Sequence, residues 1–131
     1  MMKIAVTSRH QTEFIEITSD IQRLVEKQGI QNGICMLFVP HTTAAITINE
    51  NADPTVKSDI LGVLNTIIPW KADYRHMEGN SPAHIKASLM GASELIAVEG
   101  GRLVLGTWQG IFFCEFDGPR TRSVHVHFME S

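Results

Sequence analysis

Several features that would assign this 131-residue chain to a large class are missing. No apolar run approaches the roughly 18 to 20 residues of a membrane-spanning helix, and Met1 to Val6 lacks the apolar centre of a secretory leader. Basic charge is not in excess: 11 Lys and Arg against 14 Asp and Glu give a net charge of −3, which argues against a nucleic-acid binder. Cysteine is scarce. Cys35 and Cys114 are the only two, each inside an apolar stretch and not in a Cys-x-x-Cys spacing, so buried reduced thiols are expected instead of a disulfide or a zinc knuckle. A glycine-rich phosphate loop is also missing, since Gly100, Gly101 and Gly106 fit a hairpin and a strand. What remains is a single domain over residues 1–131, expected in the cytoplasm, with neither nucleic acid nor membrane among its partners. Its 44% hydrophobic content is ordinary, and six histidines are its one compositional hint of chemistry.

Local patterns predict an α+β fold. Residues 2–8 and 12–17 are β-rich and read as an opening antiparallel pair around Arg9, His10 and Gln11. Ser19 and Gln22 have capping-box spacing, and Ile21, Leu24 and Val25 form the apolar stripe of a helix ending at Gly29. Residues 33–39 are continuously apolar, as in a strand buried on both faces, and Pro40 ends them. Asp53 caps a second helix with Pro54 at its first position, and Val56, Ile60, Val63, Leu64 and Ile67 mark its apolar face. A third helix is predicted from Pro82 with Ser81 as cap, packing through Ile85, Leu89 and Met90 and closing at Gly91. Residues 95–129 then read as a β-meander with turns at Gly100-Gly101 and at 117–120.

Candidate functional residues concentrate in residues 76–84. His76 and His84 flank the Gly79-Asn80 turn, and His84 falls in the first turn of the third helix with Ser88 one turn on along the same face. His41 follows the strand that Pro40 ends, a place where a rigid element holds a side chain while loops give access. Each histidine alone reads equally well as a surface, capping or turn residue. Arg120 and Arg122, two apart at a strand start, suit a clamp on phosphate or carboxylate, or exposed charges on an edge strand. His125 and His127 share a strand face, but strand alternation alone produces that pattern.

Three blocks carry a family resemblance: residues 93–111 (SELIAVEGGRLVLGTWQGI), 41–56 (HTTAAITINENADPTV) and 82–91 (PAHIKASLMG). Together they resemble the YjbQ-like family, named for a bacterial protein associated with a secondary thiamine-phosphate synthase activity. The likeness covers nearly the whole chain. It implies an α+β fold built on a mixed or mostly antiparallel sheet sandwich with about three helices, assembled as a homotrimer, with a metal pocket whose matching ligands are His41, His76 and His84.

The expected activity is the joining of a pyrimidine methyl diphosphate to a thiazole phosphate with loss of diphosphate. Arg120, Arg122, Thr107 and Gln109 are the expected phosphate contacts, and Glu50, Asp53 and Ser88 the expected catalytic groups. The expected cofactor is a divalent metal, zinc rather than magnesium, because imidazoles suit a transition metal and magnesium prefers oxygen. Two alternatives stand beside this reading. One is a metal-dependent hydrolase of a small phosphorylated or acyl compound, with Glu50 or Asp53 as base. The other is a non-catalytic trimeric binding protein.

Overall fold

Short segments of alternating burial form two sheets, and three amphipathic segments form the helices. In chain order the elements are β1 (Met2–Thr7), β2 (Glu13–Glu16), α1 (Thr18–Gln28), β3 (Gly33–Phe38), β4 (Ala44–Glu50), α2 (Pro54–Ile67), α3 (Ser81–Met90), β5 (Ser93–Glu99), β6 (Arg102–Leu103), β7 (Gln109–Glu115) and β8 (Thr121–Glu130). The structure, a computed structural model, describes residues 1–131. A five-stranded sheet runs β1-β8-β3-β5-β6 and a three-stranded sheet runs β2-β7-β4. Every strand pair is antiparallel.

The main core lies between the sheets, where Cys35, Leu37, Ile96, Val98, Val124 and Val126 meet Ile46, Ile111 and Phe113, and α1 adds Ile21 and Val25. On the other side of the small sheet, Ala45, Phe112, Cys114 and Phe116 pack with Leu64 and Ile68 of the α2 segment and Ala83 and Ala87 of α3. β7 serves both clusters because successive side chains leave opposite faces of a strand. The order is therefore large sheet, small sheet, helices. The outer face of the large sheet has no helix over it, and Ile34, Phe38, Leu95 and Met129 are exposed there.

Several local expectations are corrected by long-range pairing. β1 and β2 are not a hairpin, since β1 pairs with β8 and β2 with β7 in the other sheet. Of the meander only the Gly100-Gly101 hairpin of β5 and β6 forms, whereas β7 lies between β2 and β4 and β8 between β1 and β3. β3 is buried on one face only, with Ile34 and Phe38 outward, and the strand buried on both faces is β7. Along α2, Leu64 is buried while Val63 and Ile67 are exposed. The capping box on α1 does not form: Gln22 instead accepts from the Leu103 N–H at 3.0 Å and donates to the Gly101 carbonyl at 3.0 Å, which ties α1 to β6.

The α2 cap behaves as its sequence suggests, with Asp53 accepting from the Thr55 N–H at 2.9 Å. On α3 the buried face is Pro82, Ala83, Lys86 and Ala87, rotated away from the expected Ile85 and Leu89, which are exposed. Small residues let this helix lie close on β4, and proximity outweighs side-chain hydrophobicity in choosing the face. That rotation buries a lysine and leaves His84 half exposed.

Candidate functional site

Three separated parts of the chain line one cavity of about 470 Å³. The β3–β4 link gives Pro40, His41, Thr42 and Thr43; the loop entering α3 and its first turn give His76, Glu78, Asn80 and His84; the β7–β8 link and β8 give Asp117, Arg120 and Arg122. Apart from Pro40 the lining is polar or charged. An adjoining cavity of about 450 Å³ shares His41, Thr42 and His84 and adds Ser88.

The floor is a buried ion pair. Glu115 at the end of β7 and Arg122 at the start of β8 are 0% and 3% exposed, and Arg122 Nε lies 3.0 and 3.2 Å from the two carboxylate oxygens. The Ser8 hydroxyl donates to Glu115 at 2.7 Å and the Asp117 N–H at 3.1 Å. Arg122 Nη2 also donates to the Thr43 hydroxyl at 2.8 Å. Burial alone would raise the Glu115 pKa, but the bonds from Arg122, Ser8 and Asp117 outweigh it and hold the carboxyl below its usual range. This network fixes both links that bear functional side chains.

His41 stands on that floor. Its Nε2 accepts the Ser123 N–H at 3.0 Å, so the ring proton of the neutral form belongs on Nδ1. Burial and the nearby Arg122 charge lower its pKa, which favours that neutral form. The ring therefore offers a ligand one fixed N–H donor. His76 and His84 meet edge to face with centroids 5.3 Å apart, one held by the loop and the other by α3. The loop is anchored where Gly79, at φ 76°, donates its N–H to the His76 carbonyl at 3.2 Å.

The remaining wall is a chain of polar contacts. Asn80 Nδ2 donates to Asp117 Oδ2 at 2.9 Å, and Arg120 donates to the Asp117 carbonyl at 3.0 Å and to its carboxylate at 3.2 Å. Asn80 occupies the α3 cap position, but its side chain is spent on Asp117, so Ser81 begins the helix uncapped. The Asn80 Oδ1 is buried without a donor. An orphaned acceptor of this kind costs about 1 to 3 kcal/mol until something donates to it.

Sequence reasoning named His41, His76, His84, Arg120 and Arg122, which the structure brings to one cavity, and Ser88, which it places next door. It placed Glu78 and Asn80 in the 76–84 stretch without a role of their own, read Asp117 only as a turn residue, and missed Thr43 and Glu115. The two arginines do not form a clamp: Arg122 is buried against Glu115 and Thr43, which leaves Arg120 as the exposed cation. Glu50, Asp53, Thr107 and Gln109 do not reach the cavity. β4 leaves it at Ala44 and reaches Glu50 six residues later, about 20 Å along an extended strand. There Glu50 pairs with Gln109 and accepts from the Asp53 N–H at 3.2 Å, Asp53 caps α2, and Gln109 accepts from the Gly106 N–H.

The arrangement does not fit the expected three-histidine zinc centre. No group of three or more His, Cys, Asp and Glu side chains is placed to hold a metal ion, and the His41 Nε2 already accepts a backbone N–H.

A family model described as "UPF0047 protein YjbQ-like" matches residues 2–131. The chain belongs to the UPF0047, YjbQ-like family. Among its relatives, the Bacillus subtilis UPF0047 protein YugU is 51% identical over 98% of this chain and 96% of its own length. The Methanocaldococcus jannaschii UPF0047 protein MJ1081 is 48% identical over 96% and 91%. The fold agrees with a crystal structure of a YjbQ/UPF0047 protein from Clostridium acetobutylicum, at a TM-score of 0.96, 51% identity and coverage of 98% of this chain and 100% of that one. A YbjQ-like protein of unknown function from Sulfolobus solfataricus gives a TM-score of 0.94 at 38% identity, covering 99% and 96%.

These UPF0047 relatives correct the functional expectation. Their descriptions name no reaction, one is described as of unknown function, and the metal centre on which the thiamine-phosphate synthase and metal-hydrolase readings rest is not assembled.

Proposed function

We propose that this chain binds a small phosphorylated molecule in the His41, His76 and His84 cavity and carries out proton transfer on it with those imidazoles. One observation carries the reading: three histidines and an exposed arginine, from separate parts of the chain, line one polar cavity. Arg120 supplies the cationic contact and the His41 Nδ1–H a neutral donor.

The test is isothermal titration of the wild-type protein with inorganic pyrophosphate and phenyl phosphate, with phenol as neutral control. Both phosphates bind saturably, and phenol does not. Arg120→Ala weakens binding about 10- to 100-fold, the value of one charged hydrogen bond. Equal affinity in Arg120→Ala, or binding of phenol, contradicts the reading.

The protein acts in the cytoplasm in this reading. No helix is long and apolar enough to cross a membrane, and two free, buried thiols suit a reducing compartment. It also self-associates as the homotrimer that the family resemblance implies, through the uncovered face of the large sheet where Ile34, Phe38, Leu95 and Met129 are exposed. Sedimentation equilibrium of the wild type then gives three times the chain mass, and Phe38→Glu lowers it to one. A wild-type monomer contradicts the assembly.

A further inference from the structure

Lys86 lies on α3 two positions from His84, and at about 100° per residue the two side chains leave nearly opposite sides of the helix. It is 3% exposed, which is unusual for a lysine without an acidic partner. None of the ion pairs in the protein involves it. Its Nζ donates to Asn65 Oδ1 at 2.5 Å and stands 5.9 Å from the Trp70 ring and 6.0 Å from the Phe116 ring. Only one of its three donors is therefore used by a polar group of the chain. Burial lowers its pKa, a sign that the charge is poorly compensated.

The side chain lines a cavity of about 210 Å³ with Gln11, Thr12, Asn65, Trp70 and Phe116, none of which lines the histidine cavity. The volume equals that of about seven waters. We propose that this cavity is a second ligand site, in which the Lys86 ammonium binds a small monocarboxylate whose apolar end rests on Trp70 and Phe116. A monoanion matches the single cation, where a phosphate dianion would leave a net charge buried. The aromatic walls favour a short hydrocarbon tail, and Gln11 and Thr12 offer uncharged donors to the second carboxylate oxygen.

The site shares no lining residue with the histidine cavity, so either reading can fail alone. The experiment titrates the ¹⁵N-labelled full chain with sodium propionate, with propionamide as the uncharged isostere and inorganic phosphate as the competing anion, at constant ionic strength. Propionate gives saturable shifts at the Trp70 indole N–H and the Asn65 side-chain amide, at least tenfold tighter than propionamide and tighter than phosphate at those signals. Lys86→Met abolishes the response and raises the urea midpoint, because a buried charge without a counter-ion has been replaced by an apolar chain of similar volume. An equal response to propionamide, tighter phosphate binding at the same signals, or a response that survives Lys86→Met overturns the proposal. A destabilised Lys86→Met also counts against it, because it assigns the ammonium a structural role. The propionate and propionamide comparison needs no variant.

Discussion

Glu115→Gln is expected to destabilise the fold by about 3 to 5 kcal/mol, because it leaves the Arg122 guanidinium buried without its counter-charge. Against a typical total of about 5 to 15 kcal/mol that is a large fraction. Glu115 is 0% exposed and receives Ser8, Asp117 and Arg122, so the neutral amide must present an N–H where an acceptor is needed. The check is urea unfolding followed by circular dichroism. A change below about 1 kcal/mol, the size of a surface pair, would mean that water replaces the carboxylate and that the floor is not a desolvated ion pair.

The same carboxyl sets a pH dependence. Its folded pKa lies below the ordinary 4.5, so its contribution is fully present above pH 4.5 and is lost as pH falls through the folded value. The wild type therefore loses stability with a steeper acid slope than Glu115→Gln, and the two curves converge at low pH.

His84→Ala is expected to lower turnover of a phosphorylated substrate by about 10² to 10⁴-fold, the usual contribution of a positioned proton donor or acceptor. Pyrophosphate affinity should change by less than about tenfold, since Arg120 and His41 remain. The measurement is steady-state kinetics over a panel of phosphorylated small molecules, with kcat and KM read separately. A loss confined to KM would make His84 a binding residue, and a panel with no turnover by the wild type would remove the catalytic part of the reading. His84 is half exposed on α3, so the variant keeps the packed face of Ala83, Lys86 and Ala87 and is expected to fold.

Contiguous motifs carry most of what was legible in the sequence. The α2 cap at Asp53, the helix start near Pro82 and the three histidines are each local, and the structure places each near its expected position. Beyond the β5–β6 hairpin at Gly100-Gly101, strand partners were not legible, because β1 finds β8 across the whole chain and β2, β4 and β7 leave their sequence neighbours for the other sheet. Arg122 was misread for the same reason: spacing puts it beside Arg120, and only the packing of β7 against β8 shows that Glu115 takes its charge. Lys86 was invisible to hydropathy. The available signal was the small residues at Ala83 and Ala87, which mark the side on which a helix can approach a sheet.

The most direct test of the central claim is a ¹⁵N spectrum of the wild-type protein titrated with inorganic pyrophosphate. The account predicts saturable shifts at Ser123, whose N–H rests on His41, at Asp117 and Arg120, and at His84, with the signals of Glu50, Asp53 and Gln109 at the far end of the small sheet unmoved. Binding that shifts the far-end residues and leaves Ser123, Arg120 and His84 in place, or no saturable binding at all, would contradict it.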